Sequence, residues 1–459
     1  MGRKLLPLPA ISTSPPSKHR TPRYLIYFFL GLLFLTWNGI IDPSSVALSS
    51  KGRFQKCSID RYLSTGLPFL DTAHPPPLQE FILRRNNLAQ ALVDDGIDAF
   101  VVEPGYTFSY YANTSQFDWE PWEEYGSIVA NTSFLVPHFE EIRARLLNMP
   151  FIKPISTMTY EEHWDPYTTL WESLIWGDKL SPVLMVDEEM RDFISRGLAN
   201  NGFTVLGLGG RVEEVHQIKT EREIGILRAV NTGTVEAIRA MRKCLYPDVT
   251  SNEVVEVLDN TLRAGGLTPF FNIVEFGRQA ALPHGGHDGT TKLQSGDFIL
   301  IDVGAHLYGY SSDVTRTFFP PFFPRSPFTP QTPRKNITEQ ISVWHLVLSA
   351  QSASVKAMVP NATAASVDIA ARNVIAAAGY GDQFAHRLGH GIGIKAHESP
   401  YLNKGNYVSV LKPGMMFTSE PGVYVLEEFG VRHEDVLVVR EEGEAENLSG
   451  GFAEGPWDP

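Results

Sequence analysis

The chain has 459 residues, of which 43% are hydrophobic and 20% charged, and it carries a net charge of −13. That length is ample for two domains that each bury a core. The acidic balance offers phosphates no basic face, which argues against nucleic acid as a partner. Its two cysteines, Cys57 and Cys244, lack any Cys-x-x-Cys spacing, so neither a zinc ribbon nor a disulfide framework is suggested. One bridge and two free thiols both remain open.

Residues 24–41, from Tyr24 to Ile41, run eighteen positions without a charge. As a helix that run would span ~27 Å, close to the thickness of a bilayer core. Tyr24, Tyr27 and Trp37 sit near its ends, as interfacial aromatics do. Arg3, Lys4, Lys18, Arg20 and Arg23 precede it, against Lys51 and Arg53 after it. The expectation is a single-pass type II membrane protein: a cytosolic tail (1–23), a transmembrane anchor (24–41), and a lumenal or extracellular body. Secretion after a signal-peptide cut near Val46-Ala47-Leu48-Ser49 is the alternative. Glycosylation triplets at Asn113, Asn131, Asn336, Asn361 and Asn447 all fall beyond the run.

Residues 42–77 are rich in Ser and Pro and read as a stalk. Leu78, Phe81, Leu88 and Leu92 then recur at helical spacing, Asp94-Asp95-Gly96 stops the helix, and Ile97–Val102 reads as a buried strand. Helix and strand alternate to about Val215, which predicts an α/β domain over 78–215. Leu206-Gly207-Leu208-Gly209-Gly210 lacks a full nucleotide-loop fingerprint and reads as a turn. Thr220–Glu223 and Thr250–Glu253 are capping boxes that open helices, the second closed by Gly265-Gly266. Residues 320–333 hold six prolines and read as a surface insertion.

The region 216–459 carries the chemistry. His386-Arg387-Leu388-Gly389-His390-Gly391-Ile392-Gly393-Ile394-Lys395-Ala396-His397-Glu398 packs three histidines and three glycines into thirteen residues. Upstream, Asp302 ends an apolar run and Asp313 follows after Tyr308-Gly309-Tyr310, so a hairpin-like return would place the two Asp on neighbouring strands. Downstream, Met416–Glu420 and Gly430–Glu434 look like a second strand pair. His390 sits in a glycine-rich loop that permits close approach. Two Asp, one His and two Glu make a hard, oxygen-rich ligand set suited to a pair of divalent ions. Two such ions can hold a hydroxide between them, the equipment of a metal-assisted hydrolase.

The order Asp302, Asp313, His390, Glu420, Glu434, with the frame His386 to Pro400, resembles the pita-bread metallopeptidases. The resemblance is closest to their proline-specific branch, aminopeptidase P and prolidase, and spans about Ile218 to Arg440. It implies an α+β pita-bread catalytic domain behind a creatinase-type N-terminal domain. It implies that the five residues bind two metal ions, usually Mn²⁺ with Co²⁺ or Zn²⁺ as alternatives, bridged by Asp313 and Glu434. His284, His386 and His397 match histidines that meet substrate, and Arg432 matches a residue that orients ligands through its fork of donors. The implied reaction is hydrolysis of Xaa-Pro bonds, at peptide N-termini or in dipeptides, by a metal-bridging hydroxide. Glu420 would act as proton acceptor; His284 and His397 would meet charge on the carbonyl oxygen or protonate the leaving nitrogen. The implied partners are peptides with proline at the second position, and a homodimer is compatible with it. His287, His306 and His433 lie off the pattern and read as ordinary structural histidines. Two other readings stay open: an inactive membrane binding protein on the same fold, and a bimetal hydrolase of non-peptide amides or phosphoesters.

Overall fold

Helix Leu78–Asp95 ends where Gly96 takes the left-handed conformation at φ 68°, which glycine adopts without a Cβ penalty. The computed structural model describes residues 48–115, 118–119, 126–128, 132–152, 154–325 and 335–459. The chain divides into a unit ending at Arg53 and a second unit, Phe54–Pro459.

In the second unit the N-terminal domain is a six-stranded sheet. Its strands run in the order Ser156–Tyr160, Ser133–Pro137, Gly126–Ile128, Ala99–Val102, Val183–Val186, Thr204–Gly207. Ala99–Val102 pairs in parallel with Val183–Val186, and Val183–Val186 with Thr204–Gly207. Strand Gly126–Ile128 runs antiparallel to both its neighbours, Ala99–Val102 and Ser133–Pro137. Helix Gly210–Gln217 leads out of the domain.

The catalytic domain opens on helix Glu221–Arg242, whose N-cap Thr220 and Glu223 form both hydrogen bonds of a capping box; Thr250 and Glu253 repeat it for Ser251–Ala264. These helices cover a sheet built on strand Ile299–Leu307, flanked by Thr268–Phe276 and Val314–Phe318. Two further helices, Lys335–Ala357 and Ala364–Ala377, cover a second sheet in the order Glu398–Leu402, Gly389–Gly391, Met416–Ser419, Asp435–Val438, Glu446–Asn447. Ile301, Val303 and Val314 belong to a buried apolar cluster that continues into the N-terminal domain and reaches Met416 and Val436 of the second sheet, while Trp344, Phe417 and Leu437 belong to another.

Several expectations need correction. Among the described residues no helix is long and apolar enough to cross a membrane. Residues 24–41, the expected anchor, lie outside the described residues. Among the described residues the fold is therefore the two domains with no membrane-spanning helix, and the type II placement drawn from the expected anchor is withdrawn. The expected stalk contains helix Ser50–Leu63, whose Lys51, Arg53, Lys56, Asp60 and Arg61 suit a water-facing surface. Cys57 on that helix is bridged to Cys244 after the first catalytic-domain helix, closing the question the sequence left open. Met416–Ser419 pairs with Asp435–Val438 and not with the Phe429–Arg432 strand, which instead forms a hairpin with Gly422–Val425. Most of the proline-rich insertion, 326–334, lies outside the described residues.

Candidate active site

Asp302 lies mid-strand in Ile299–Leu307, where its partner across the ladder is Thr315; Asp313 immediately precedes that partner strand. The two Asp thus meet as the hairpin reading expects. Ser419 pairs with Asp435, so Glu420 and Glu434 flank one rung at the ends of adjacent strands. His390 sits on the short strand Gly389–Gly391, in register with Phe417 through its neighbour Gly391. A Cβ on Gly389 would lie 2.1 Å from the Thr418 carbonyl oxygen, so only glycine lets this strand approach.

These placements bring all five residues together. Ligand atoms of Asp302, Asp313 and Glu434 lie within 4.8 Å of one another, as do those of His390, Glu420 and Glu434. His390 Nε2 is 3.6 Å from both Asp313 Oδ2 and Glu420 Oε1. Its Nδ1 donates to the Gly391 carbonyl at 3.0 Å, which leaves Nε2 as the free acceptor. Burial pushes the His390 imidazole down to about 3, so it is neutral, as a metal ligand must be. Burial pushes Asp313 and Glu434 well above the carboxylate range, reinforced by Asp302 and Glu420 on Asp313 and by Asp313 and Glu420 on Glu434. Burial likewise raises Glu420 to about 7. Asp302 Oδ1 is buried without a hydrogen-bond partner among the described residues. Four crowded, desolvated carboxylates and one neutral imidazole are costly alone and become favourable around cations, so the residues fit a pair of divalent ions.

Arg432 ties the group together. Its Nη2 donates to Asp302 Oδ2 at 2.6 Å and its Nε to Thr315 Oγ1 at 2.9 Å; Thr315 in turn donates to Glu434 Oε2 at 2.7 Å. Nη1 reaches the Pro283 carbonyl at 2.9 Å and Tyr424 Oη at 2.8 Å. His386 continues the chain, with Nε2 3.0 Å from Tyr424 Oη and Nδ1 donating to the Arg387 carbonyl at 2.7 Å. Burial, helped by Arg432, lowers its pKa to about 4. His397 is different: its ring is 59% exposed, 4.1 Å from the His390 ring and 3.7 Å from Asp313 Oδ2.

The group forms the floor of a cleft of about 440 Å³. His284, Pro283, His397 and Arg387 line it, and Phe270, Phe271 and Ile273 give an apolar side. The off-pattern histidines stand apart. His306 stacks on Phe270 at 4.2 Å, His287 lies 3.8 Å from Glu275, and His433 is buried against Trp344 with Nε2 donating to its carbonyl at 3.2 Å.

Sequence reasoning missed Tyr424, Arg316 and Tyr106. Arg316 is fully buried and holds the Glu434 carbonyl at 2.7 Å and Asp435 Oδ1 at 2.6 Å. An arginine in the centre of the strand Val314–Phe318, at a position that packs inward, was the available signal. Tyr106, from the N-terminal domain, lines the cleft from a distant stretch of chain and left none.

Residues 225–441 match the model of metallopeptidase family M24. An uncharacterized peptidase of Schizosaccharomyces pombe is 36% identical over 431 residues, covering 90% of this chain and 89% of its own. The chain belongs to metallopeptidase family M24. Its fold is that of the solved M24 enzymes. The dipeptidase PepE from Mycobacterium ulcerans superposes with a TM-score of 0.71 at 27% identity, over 82% of this chain and 97% of that one. The Xaa-Pro dipeptidase from Bacillus anthracis superposes at 0.65 and 25% identity, over 82% and 99%. The resemblance to the pita-bread metallopeptidases read from the sequence therefore holds, and with it the identification as a divalent-metal-dependent peptidase.

Proposed function

We propose that this M24 peptidase hydrolyses the bond before proline in Xaa-Pro dipeptides or at the N-terminus of longer peptides. The observation that carries the reading is the pairing, in one cleft, of the five-residue ligand group with an apolar side made by Phe270, Phe271 and Ile273. A proline ring is compact and apolar and suits such a side. Similarity to an Xaa-Pro dipeptidase structure supports the choice.

In this reading Asp302, Asp313, His390, Glu420 and Glu434 would hold two divalent ions, Mn²⁺ by preference. Bound there, the ions supply Lewis acidity and ionise water at neutral pH. The chain's own residues do the rest. Arg432 holds Asp302 and, through Thr315, Glu434 at fixed angles. Glu420, 3.6 Å from His390 Nε2 in the same group, is the carboxylate placed to take a proton. His397, open to the cleft, and His284 are placed to donate to a carbonyl oxygen or to the departing proline nitrogen. Burial keeps His386 neutral and the Arg432–Tyr424 chain holds its ring, which favours a supporting role for it.

The test is one substrate panel on metal-loaded protein: Xaa-Pro dipeptides, longer Xaa-Pro peptides, matched Xaa-Ala peptides and a phosphotriester. The expected result is turnover of the Xaa-Pro compounds at least a hundredfold faster than the others. Equal turnover of Xaa-Ala, or turnover of the phosphotriester alone, rejects the reading.

A further inference from the structure

Two residues before His397, the Lys395 side chain leaves the catalytic domain and ends between two carboxylates of the N-terminal domain. Its Nζ lies 2.7 Å from Glu188 Oε1 and 3.1 Å from Glu189 Oε1. Exposed ion pairs contribute little. Here, however, the lysine side chain is only 17% exposed, and it forms part of the wall of the substrate cleft. The acidic turn is itself anchored: buried Asp187 accepts from Thr107 Oγ1 at 3.0 Å and from the Glu188 amide at 2.9 Å. Tyr106, beside Thr107, lines the same cleft.

The segment that Lys395 holds has a handful of other ties, among them its own carbonyl, which accepts from the Gly393 amide at 2.9 Å. Ser311 donates from its amide to the Gly393 carbonyl at 2.8 Å and from Oγ to the Ile394 carbonyl at 2.7 Å. At the far end Glu398 is buried in an ion pair with Lys219. Between these ties the His397 ring has no hydrogen bond to it among the described residues. That ring is carried on backbone held on both sides, by Glu398 one residue after it and by Lys395, bound to Glu188 and Glu189, two residues before it.

We infer that Lys395, held by Glu188 and Glu189, is a positioning residue through which the N-terminal domain aims His397 at the Asp313–His390 group. The inference rests on reading His397 as a group that meets the substrate. It makes the N-terminal domain part of the catalytic apparatus: displacing the acidic turn slackens the His397 segment while leaving the metal ligands in place.

The experiment uses the full chain loaded with Mn²⁺, as wild type, K395M, K395R and E188Q/E189Q. Amide hydrogen exchange over 393–398, metal content, and kcat and KM for an Xaa-Pro dipeptide are measured together. K395M and E188Q/E189Q should exchange about tenfold faster there and keep wild-type metal content. Their kcat should fall about ten- to a hundredfold with KM within threefold, the size expected when a donor is misplaced by about 1 Å. K395R, which keeps the charge and the reach, should restore exchange and kcat to within about threefold. The combined triple variant should be no worse than K395M, because the partners act as one unit. Unchanged exchange in K395M, or K395R as impaired as K395M, overturns the inference. So does a raised KM with kcat retained, which would make Lys395 a substrate-binding group. If the wild type hydrolyses no Xaa-Pro compound, the substrate reading fails by itself, and the exchange comparison with its arginine rescue still decides the positioning role.

Discussion

Asp313, Glu420 and Glu434 are carboxylates that burial and mutual repulsion hold toward their neutral forms, while the buried Arg432 guanidinium favours their charged forms. This balance separates residues that only a cation can satisfy from residues the protein already satisfies. Asp313→Ala and Glu434→Ala each remove a carboxylate from the centre of the ligand group, so both variants should lose metal together with activity. His397→Ala should keep its metal and lose about 10²–10³ in rate, the usual cost of one transition-state donor. Metal analysis and turnover on the same samples check both, and metal-free His397→Ala protein would reverse the assignment. His433 illustrates the opposite case. It lies between the strands Phe429–Arg432 and Asp435–Val438, buried in the core against Trp344. Burial, with Arg316 nearby, lowers its pKa from 6.5 to about 3. The unfolded chain therefore binds the extra proton first. The stability His433 contributes is complete above pH 6.5 and is lost as pH falls from there toward 3. His433→Phe should leave turnover and metal intact and flatten the acid limb of stability against pH by about one proton, or ~1.4 kcal/mol per pH unit. Denaturant titrations between pH 4 and 7 read that slope, and an unchanged slope excludes the assignment.

At the scale of elements, what was legible is what local chemistry dictates. Thr220–Glu223 and Thr250–Glu253 announced helix starts because the reciprocal side-chain bonds need only four consecutive residues. Thr250→Ala should cost about 1 kcal/mol of stability with turnover unchanged, measured by urea unfolding. The hairpin carrying Asp302 and Asp313 was legible for the same reason, since the apolar run into Asp302 and Tyr308-Gly309 lie within one short stretch. Pairing partners at a distance were not. Met416–Ser419 and Phe429–Arg432 both read as strands, yet alternation says nothing about which strand lies beside which; the ladder runs through Asp435–Val438 instead. The site itself survived that error, because Glu420 and Glu434 end strands that converge whichever neighbour each one takes. Helix Ser50–Leu63 was hidden by composition, since the Ser and Pro on either side of it made the whole stretch look like a linker.

At the scale of the molecule, the Cys57–Cys244 bridge spans 187 residues and ties a helix that precedes the N-terminal domain to the catalytic domain beyond it. No spacing rule could pair cysteines so far apart. Closing so long a loop restricts the unfolded chain, and Cys57→Ser should cost about 2–5 kcal/mol. Unfolding compared with and without reductant checks it, and an indifferent wild type would deny the bridge a stabilising part.

The metal group couples the whole fold to pH in the metal-free enzyme. Glu420 is raised to about 7 from 4.5, and Asp313 and Glu434 are raised well above the usual carboxylate range, mainly by burial. A carboxyl with a raised folded pKa contributes stability that is complete below its unfolded pKa and is lost as pH climbs through the folded value. The neutral histidines His386, His390 and His433 oppose this only below pH 6.5, where their own contribution is falling. Above pH 6.5 the carboxylates act alone, so stripped protein should weaken steadily from about pH 6.5 to 8. Metal binding needs the same ligands deprotonated and strengthens over that range. The gap in melting temperature between Mn²⁺-loaded and chelator-stripped protein should therefore widen as pH rises from 6.5 to 8. Thermal melts of both forms at matched ionic strength decide it. A gap that stays constant or narrows would mean that the buried carboxylates do not form the metal site.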